Sequence, residues 1–275
     1  MNDDRHPPLL GYTDRLSARP GETVQVKVSS QLDGEYQASL VHIICADPNP
    51  EGSGVVEEAV DGGFLGTYPA RAQPFTPGSC MRADLPCGIQ LPEELSVSAM
   101  IWPTRLEAGA QSVLSIASDN QGAALVLGLD DSARPRVILR MTDGSWTEAV
   151  VPRSVGERSW VRLWASVSHA SGELIMGYGS GDDQAVASSQ IEGSTALVTE
   201  TMGRILVAAC DQAGQRMHFN GKIEGPAIYQ ALLDWEDFAT PSTTDPGMLF
   251  ARWDFSQDIS STRVRDIGAN GIHGT

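Results

Sequence analysis

The feature that most constrains this chain is a long succession of short runs in which apolar and polar residues alternate, each closed by a turn signal. Successive side chains of a strand point to opposite faces, so alternation marks a half-buried strand. Beyond residue 75 such runs are expected near 78–85, 95–103, 112–117, 123–129, 136–141, 145–151, 160–168, 173–178, 205–209 and 217–229. Pro103 stops one of them, since proline lacks the N–H a ladder needs. Asp130-Asp131, Asp143-Gly144, Ser171-Gly172 and Asp182-Asp183 separate others. Many short strands with regular turns predict an all-β chain, an antiparallel β-sandwich or jelly roll. Helical periodicity is confined to 229–239, where one or two turns are expected.

Residues 9–45 read as two or three further strands, forming a smaller N-terminal β unit. Pro20-Gly21 is a turn, after which Val24, Val26 and Val28 share one face. Tyr36, Ala38 and Leu40 repeat the alternation, and Asp47 to Gly54 form a loop. The expected division is 1–74 and 75–275. No tandem repeat of 20 to 50 residues is present.

At residues 218–232 the pattern is most detailed. Asn220-Gly221 between apolar neighbours predicts a type I′ hairpin, because both central positions of that turn need positive φ. In the strand that follows, Ile223, Gly225, Ala227 and Tyr229 are expected on one face, with Lys222, Glu224 and Ile228 on the other.

Charge narrows the partners. The 275 residues carry 35 acidic against 19 basic side chains, a formal net charge of −16. Such a surface repels phosphate backbones and anionic lipid heads, so neither nucleic acid nor a membrane is expected as a partner. Residues 1–8 hold no apolar run and no 18 apolar residues run together, so neither a secretory signal nor a membrane span is expected. Cys45, Cys80, Cys87 and Cys210 show no C-x-x-C spacing. A reduced, cytoplasmic setting follows; a Cys80–Cys87 bridge is the pairing an exported context would allow.

The residues that invite chemistry read mostly as structure. His218 and His273 lack a carboxylate at metal-site spacing, so both are expected to serve as structural hydrogen-bonding groups. Asp130-Asp131 and Asp182-Asp183 lack the ligand series calcium requires and read as solvated turns. Gly177 to Gly181 fits neither a nucleophile elbow nor a phosphate loop, and reads as a hairpin turn leading to Asp182. Trp102, Trp146, Trp160, Trp164, Trp235 and Trp253 offer candidates for a sugar-stacking platform but read chiefly as core; Trp160 and Trp164 stand four apart and share a face, taken as the inner one. Catalytic, cofactor-binding and metal-ligating residues are therefore all expected to be none.

Two resemblances extend this reading. Gly78-Ser79-Cys80-Met81-Arg82, Leu95 to Pro103 and Trp160 to Val167 resemble strands of laminin-G-like, concanavalin A-like domains, as does the 218–232 segment with its short helix. Asp266-Ile267-Gly268-Ala269-Asn270-Gly271-Ile272-His273-Gly274 resembles the segment that opens such a domain. Here it comes last, which implies a permuted sandwich with its first strand at 248–275, pairing near residues 75–102. It also implies a truncated or split polypeptide. Gly11 to Val24, Ile43 to Pro50 and Ala251 to Ser256 are similar to the large (β) subunit of N,N-dimethylformamidase. That resemblance implies an amidohydrolase whose mononuclear iron sits on tyrosine and carboxylate ligands in a separate catalytic domain. None of its ligand motifs falls in this chain. The expected role is a non-catalytic sandwich region that packs on a catalytic domain or subunit within a hetero- or homo-oligomer. A free-standing lectin-like module with carbohydrate as its partner is the alternative.

Overall fold

The computed structural model describes residues 7–73, 78–86, 89–118, 121–199, 201–212, 215–239 and 246–275. The chain divides into two compact units, Met1–Pro77 and Gly78–Thr275. The first holds β1 (Leu9–Thr13), β2 (Val26–Ser30), β3 (Glu35–Ala38), β4 (Leu40–Ala46), β5 (Val55–Val60) and β6 (Gly66–Pro69). They pair as three antiparallel two-stranded ladders, β1 with β2, β3 with β6 and β4 with β5. Tyr36 and Tyr68 stack at 5.7 Å between ring centroids. Ser30 is the single buried residue described in this unit. Val24 and Val26, expected on a dry face, are exposed.

The second unit holds β7 (Met81–Asp84), β8 (Glu94–Pro103), β9 (Gln111–Ser118), β10 (Gly122–Leu129), β11 (Pro135–Arg140), β12 (Trp146–Val150), β13 (Val161–Ser168), β14 (Glu173–Ser180) and β15 (Asp183–Gln190). Then come α1 (Ala196–Thr199), β16 (Met202–Val207), β17 (Ala209–Gln212), β18 (Gln215–His218) and β19 (Gly221–Tyr229). The chain closes with α2 (Trp235–Ala239), β20 (Leu249–Asp254) and β21 (Arg265–Asp266). A six-stranded sheet, β12-β11-β10-β9-β16-β7, packs on a seven-stranded sheet, β15-β14-β13-β8-β19-β20-β21. All ladders are antiparallel, so the expected β-sandwich is the observed fold.

The core lies between the sheets and follows from alternation. Leu95, Val97, Ala99 and Ile101 of β8, with Val161, Leu163, Ala165 and Val167 of β13, face inward. They meet Leu125, Leu127 and Leu129 of β10 and Val137 and Leu139 of β11. The outer face of the six-stranded sheet carries a second cluster, Ala123, Val126, Ile138 and Cys210. Burial, with the Asp211 charge beside it, pushes the Cys210 thiol from its ordinary value of 9.0 up to about 12. Because the raised group stays protonated longer when folded, it contributes stability below pH 9 that is lost as pH rises toward 12. In the native protein at pH 8, Cys210 is expected to stay silent to thiol reagents and to react only on unfolding. Mass mapping of alkylated peptides, with and without denaturant, checks this; native labelling of Cys210 would contradict the burial argument.

Three local expectations are corrected. Asn220-Gly221 does not close a hairpin: β18 pairs with β17, while β19 pairs with β8 and β20. The pair is a corner where the chain changes sheets. Glycine is needed at 221 because a Cβ there would lie 2.2 Å from the Trp102 carbonyl oxygen. In β19 the register shifts between Glu224 and Ala227, and Gly225 has φ +52°. This bulge re-phases the strand, so Ile223 and Ile228 both pack on the core instead of lying on opposite faces. Gly177 to Ser180 belong to β14, with the turn following at Gly181.

The C-terminal tail joins the two sheets. β20 adds beside β19, with Ile228 opposite Ala251, while Gly274 bridges both Ala83 of β7 and Val264. Thr275 and Arg82 exchange backbone hydrogen bonds of 2.8 and 2.9 Å. Buried Asp266 gathers the N–H groups of Arg252, Gly268 and Ile272 at 2.7 to 2.9 Å. Trp253, fully buried, donates its indole N–H to the Ile272 carbonyl at 2.7 Å.

Candidate binding surface

Side chains at even positions of β8 and β13 point away from the core, so they tile the outer face of the seven-stranded sheet. Register places Trp164 between Ser98 and Gly177, and Arg162 between Met100 and Gly179. Across β19, Met100 stands opposite Glu224 and Trp102 opposite Lys222.

One half of this face is closed. The chain after Tyr229 folds back so that Leu233 and Phe238 pack on Trp164 in a cluster separate from the main core. Ser96 and Ser166, 2.7 Å apart, secure it: the Leu233 N–H donates to Ser96 Oγ, and the Ser166 hydroxyl to the Leu233 carbonyl. Gly177 and Gly179 leave space for indole rings. A Cβ at 177 would sit 1.9 Å from Trp164, and one at 179 would sit 1.8 Å from Trp235. Trp164 is thus buried on the outer face, which corrects the inner-face expectation; spacing gives shared parity and cannot say which parity looks inward.

The other half is open. Trp160, just before β13, is 39% exposed and meets half-buried Trp102 edge-on, with centroids 5.6 Å apart and planes at 61°. Lys222 Nζ lies 5.6 Å from the Trp102 ring centroid, within cation–π range. Exposed Glu224 follows on the same face, about 7 Å along the strand by strand rise. The Arg162 guanidinium lies 5.7 Å from the Phe238 ring centroid. Burial lowers the Arg162 pKa, the Tyr229 side chain opposes this, and the positive charge of Arg252 lowers it further. Lys222, Glu224 and Arg162 were not singled out from the sequence, although a Lys and a Glu two apart in a strand beside a Trp-bearing strand carry that signal.

The other candidate residues stay apart. Asp130 accepts N–H groups from Ser132 and Arg134 at 2.9 and 2.8 Å and an ion pair from Arg134 at 2.7 Å. Partial burial alone would raise its pKa, but these bonds and the Arg134 charge hold it below the ordinary carboxylate value. Asp131 accepts the Ala110 N–H at 2.9 Å, and Asp183 pairs with Arg153. Asp130 is thus buried and anchors its turn, which corrects the expectation of a solvated pair there, while Asp183 is tied by its ion pair. His273 accepts the Asp266 N–H at 3.1 Å. His218, expected to hydrogen-bond, has both ring nitrogens buried with no partner among the described residues, and its ring fills the space above Gly78. Cys45, Cys80 and Cys210 are free thiols, while Cys87 lies outside the described residues. Among the described residues no group of three or more His, Cys, Asp or Glu side chains is placed to hold a metal ion. No helix among them is long and apolar enough to cross a membrane.

A second surface belongs to the first unit. In the β4–β5 ladder Leu40, Val41, Ile43, Ile44, Val55, Val56 and Val60 are all exposed, on both faces. A two-stranded ladder alone in water is marginal, so apolar residues on both faces mark a surface made to be covered.

No protein-family profile matches the sequence. Among solved structures, a candidate carbohydrate-binding protein from Bacteroides ovatus superposes with a TM-score of 0.53 at 11% identity, covering 80% of this chain and 64% of that one. That likeness is one of fold. The beta subunit of N,N-dimethylformamidase from Paracoccus aminophilus is 30% identical over 97% of this chain, and the corresponding subunit from an Alcaligenes species is 30% identical over the same share. The chain spans 38% of the length of either relative. The resemblance carried by residues 11–24, 43–50 and 251–256 therefore extends along nearly the whole chain, which is a relative of part of the N,N-dimethylformamidase beta subunit.

Proposed function

We propose that this chain is a non-catalytic scaffold region of a dimethylformamidase-like amidohydrolase, packing on a catalytic domain and on neighbouring subunits. The observation that carries this reading is the β4–β5 ladder, whose exposed aliphatic residues are suited to burial against another polypeptide. These residues are 38–66% exposed, so covering each yields part of the about 1.5–3 kcal/mol of full burial, and the group together favours an interface. The match to 38% of a longer subunit supplies a natural partner, the rest of that polypeptide. Among the described residues no group of three or more His, Cys, Asp or Glu side chains offers an iron site, which supports placing the implied iron in a separate catalytic domain.

The test is to express the chain alone and together with the remaining part of a dimethylformamidase beta subunit. Co-purification is expected, and Ile43→Asp with Val56→Asp should abolish it. Hydrolysis of N,N-dimethylformamide by the chain alone, with iron supplied, would overturn the non-catalytic role. Failure to associate would overturn the packing role.

A second reading, a carbohydrate-binding module, is favoured by exposed Trp160 packed edge-on against half-buried Trp102 and by the fold shared with the Bacteroides ovatus protein. The two readings use different surfaces and are compatible.

A further inference from the structure

Resting on that second reading, we propose that the open half of the outer face, built from Trp102, Trp160, Lys222 and Glu224, binds the ring of a neutral pyranoside. A pyranose offers an apolar C–H face ringed by hydroxyl groups that both donate and accept. Its complement is an aromatic plane flanked by one strong donor and one strong acceptor. Trp160 provides an exposed indole, held edge-on against Trp102 at 5.6 Å. Its position is secured from behind, because its backbone carbonyl accepts the Ser180 hydroxyl at 3.2 Å. Lys222 and Glu224 project from one face of β19 opposite Trp102 and Met100, and no ion pair joins them among the described residues. Lys222 therefore keeps its donors, and Glu224 its acceptor lone pairs, for a ligand.

Charge selects the ligand class. An anion would meet Glu224 and a protein of net charge −16. A cation would meet Lys222, Arg162 and Arg252, all on this face. An apolar partner would strip water from all four groups without replacing their hydrogen bonds. A neutral polyol leaves none of them opposed. Stacking on one indole with a few rim hydrogen bonds supports millimolar affinity for a single ring.

Calorimetric titration of the 275-residue chain with maltotriose, cellotriose and mannotriose tests this, with sialyllactose as the acidic comparison. At least one neutral trisaccharide is expected to bind, about tenfold more weakly to Trp160→Ala and measurably more weakly to Glu224→Gln. Trp160 lies on the surface, and an unchanged unfolding midpoint of the variant confirms that its fold is retained. Binding unaffected by Trp160→Ala would overturn the site while leaving the carbohydrate reading in place. Stronger binding of sialyllactose would overturn the neutral ligand class. Absence of binding by every sugar would overturn site and reading together.

Discussion

Replacing Trp253 by alanine is expected to cost about 3–5 kcal/mol, the range for truncating a large buried aromatic. A single domain has a total stability of about 5–15 kcal/mol, so the variant should sit close to its unfolding threshold. Trp253 is 0% exposed and heads the fully buried side chains of the core. It stands in β20 between β19 and β21, where it joins the tail to the seven-stranded sheet. Its indole N–H also satisfies the Ile272 carbonyl, two residues before the bridge from Gly274 to Ala83 in the other sheet. Losing it opens a cavity and orphans a buried acceptor together. Trp253→Phe separates the terms: most of the packing remains, and the unpaired carbonyl accounts for about 1–3 kcal/mol. Urea unfolding followed by far-ultraviolet circular dichroism measures both. Equal midpoints for the two variants would show that the hydrogen bond, rather than the ring volume, matters; an unshifted Trp253→Ala would refute the tail's structural role.

Gly177→Val should destabilise the protein by about 3 kcal/mol, the upper part of the overpacking range. The first carbon of any side chain at 177 would fall 1.9 Å from Trp164 Cε2 and 2.3 Å from Cζ2, so the indole must leave its site. With it would go Leu233 and Phe238, which pack on that ring, and the chain that carries α2. Gly181→Ala is the control. It lies in a turn at φ +58° with open space around it, and costs about 1–2 kcal/mol from backbone conformation alone. A double-mutant cycle isolates the mechanism. In a Trp164→Ala background Gly177→Ala should cost little, because the clashing ring is gone, giving a coupling energy of about 1–3 kcal/mol. Additive effects would place the strain elsewhere.

Both expectations involve residues whose types were visible in the sequence but whose roles were not. Gly177 and Gly179 read as turn formers because glycine is ordinarily a backbone device. Here the missing Cβ matters more than the torsion: both sit mid-strand as floors for Trp164 and Trp235. Trp160 and Trp164 were grouped correctly by parity, yet the face they share is the outer one. Strands such as β8, with Ser96 and Ser98 buried on one side and Leu95 and Val97 on the other, are covered on both faces. A rule that equates buried with inner fails where a sheet has a second cover. The Asn220-Gly221 pair predicted a hairpin from local conformational preference, but β19 had stronger partners in β8 and β20. The open patch at Lys222 and Glu224 went unnoticed for a related reason: its residues come from β8, β13 and β19, separated by tens of residues.

What the sequence determined by itself was the class of fold and the place of most strands of the sandwich, though not of β15 or β17, because a period of two and a turn every ten residues or so leave an antiparallel two-sheet solution with few rivals. What the tertiary structure alone decided was the order of the strands, the bulge that re-phases β19, and which face of each sheet acquires a second cover. Alternation is a local property of one strand. Partner choice and burial are set by the free energy of packing surfaces that meet only when distant segments assemble.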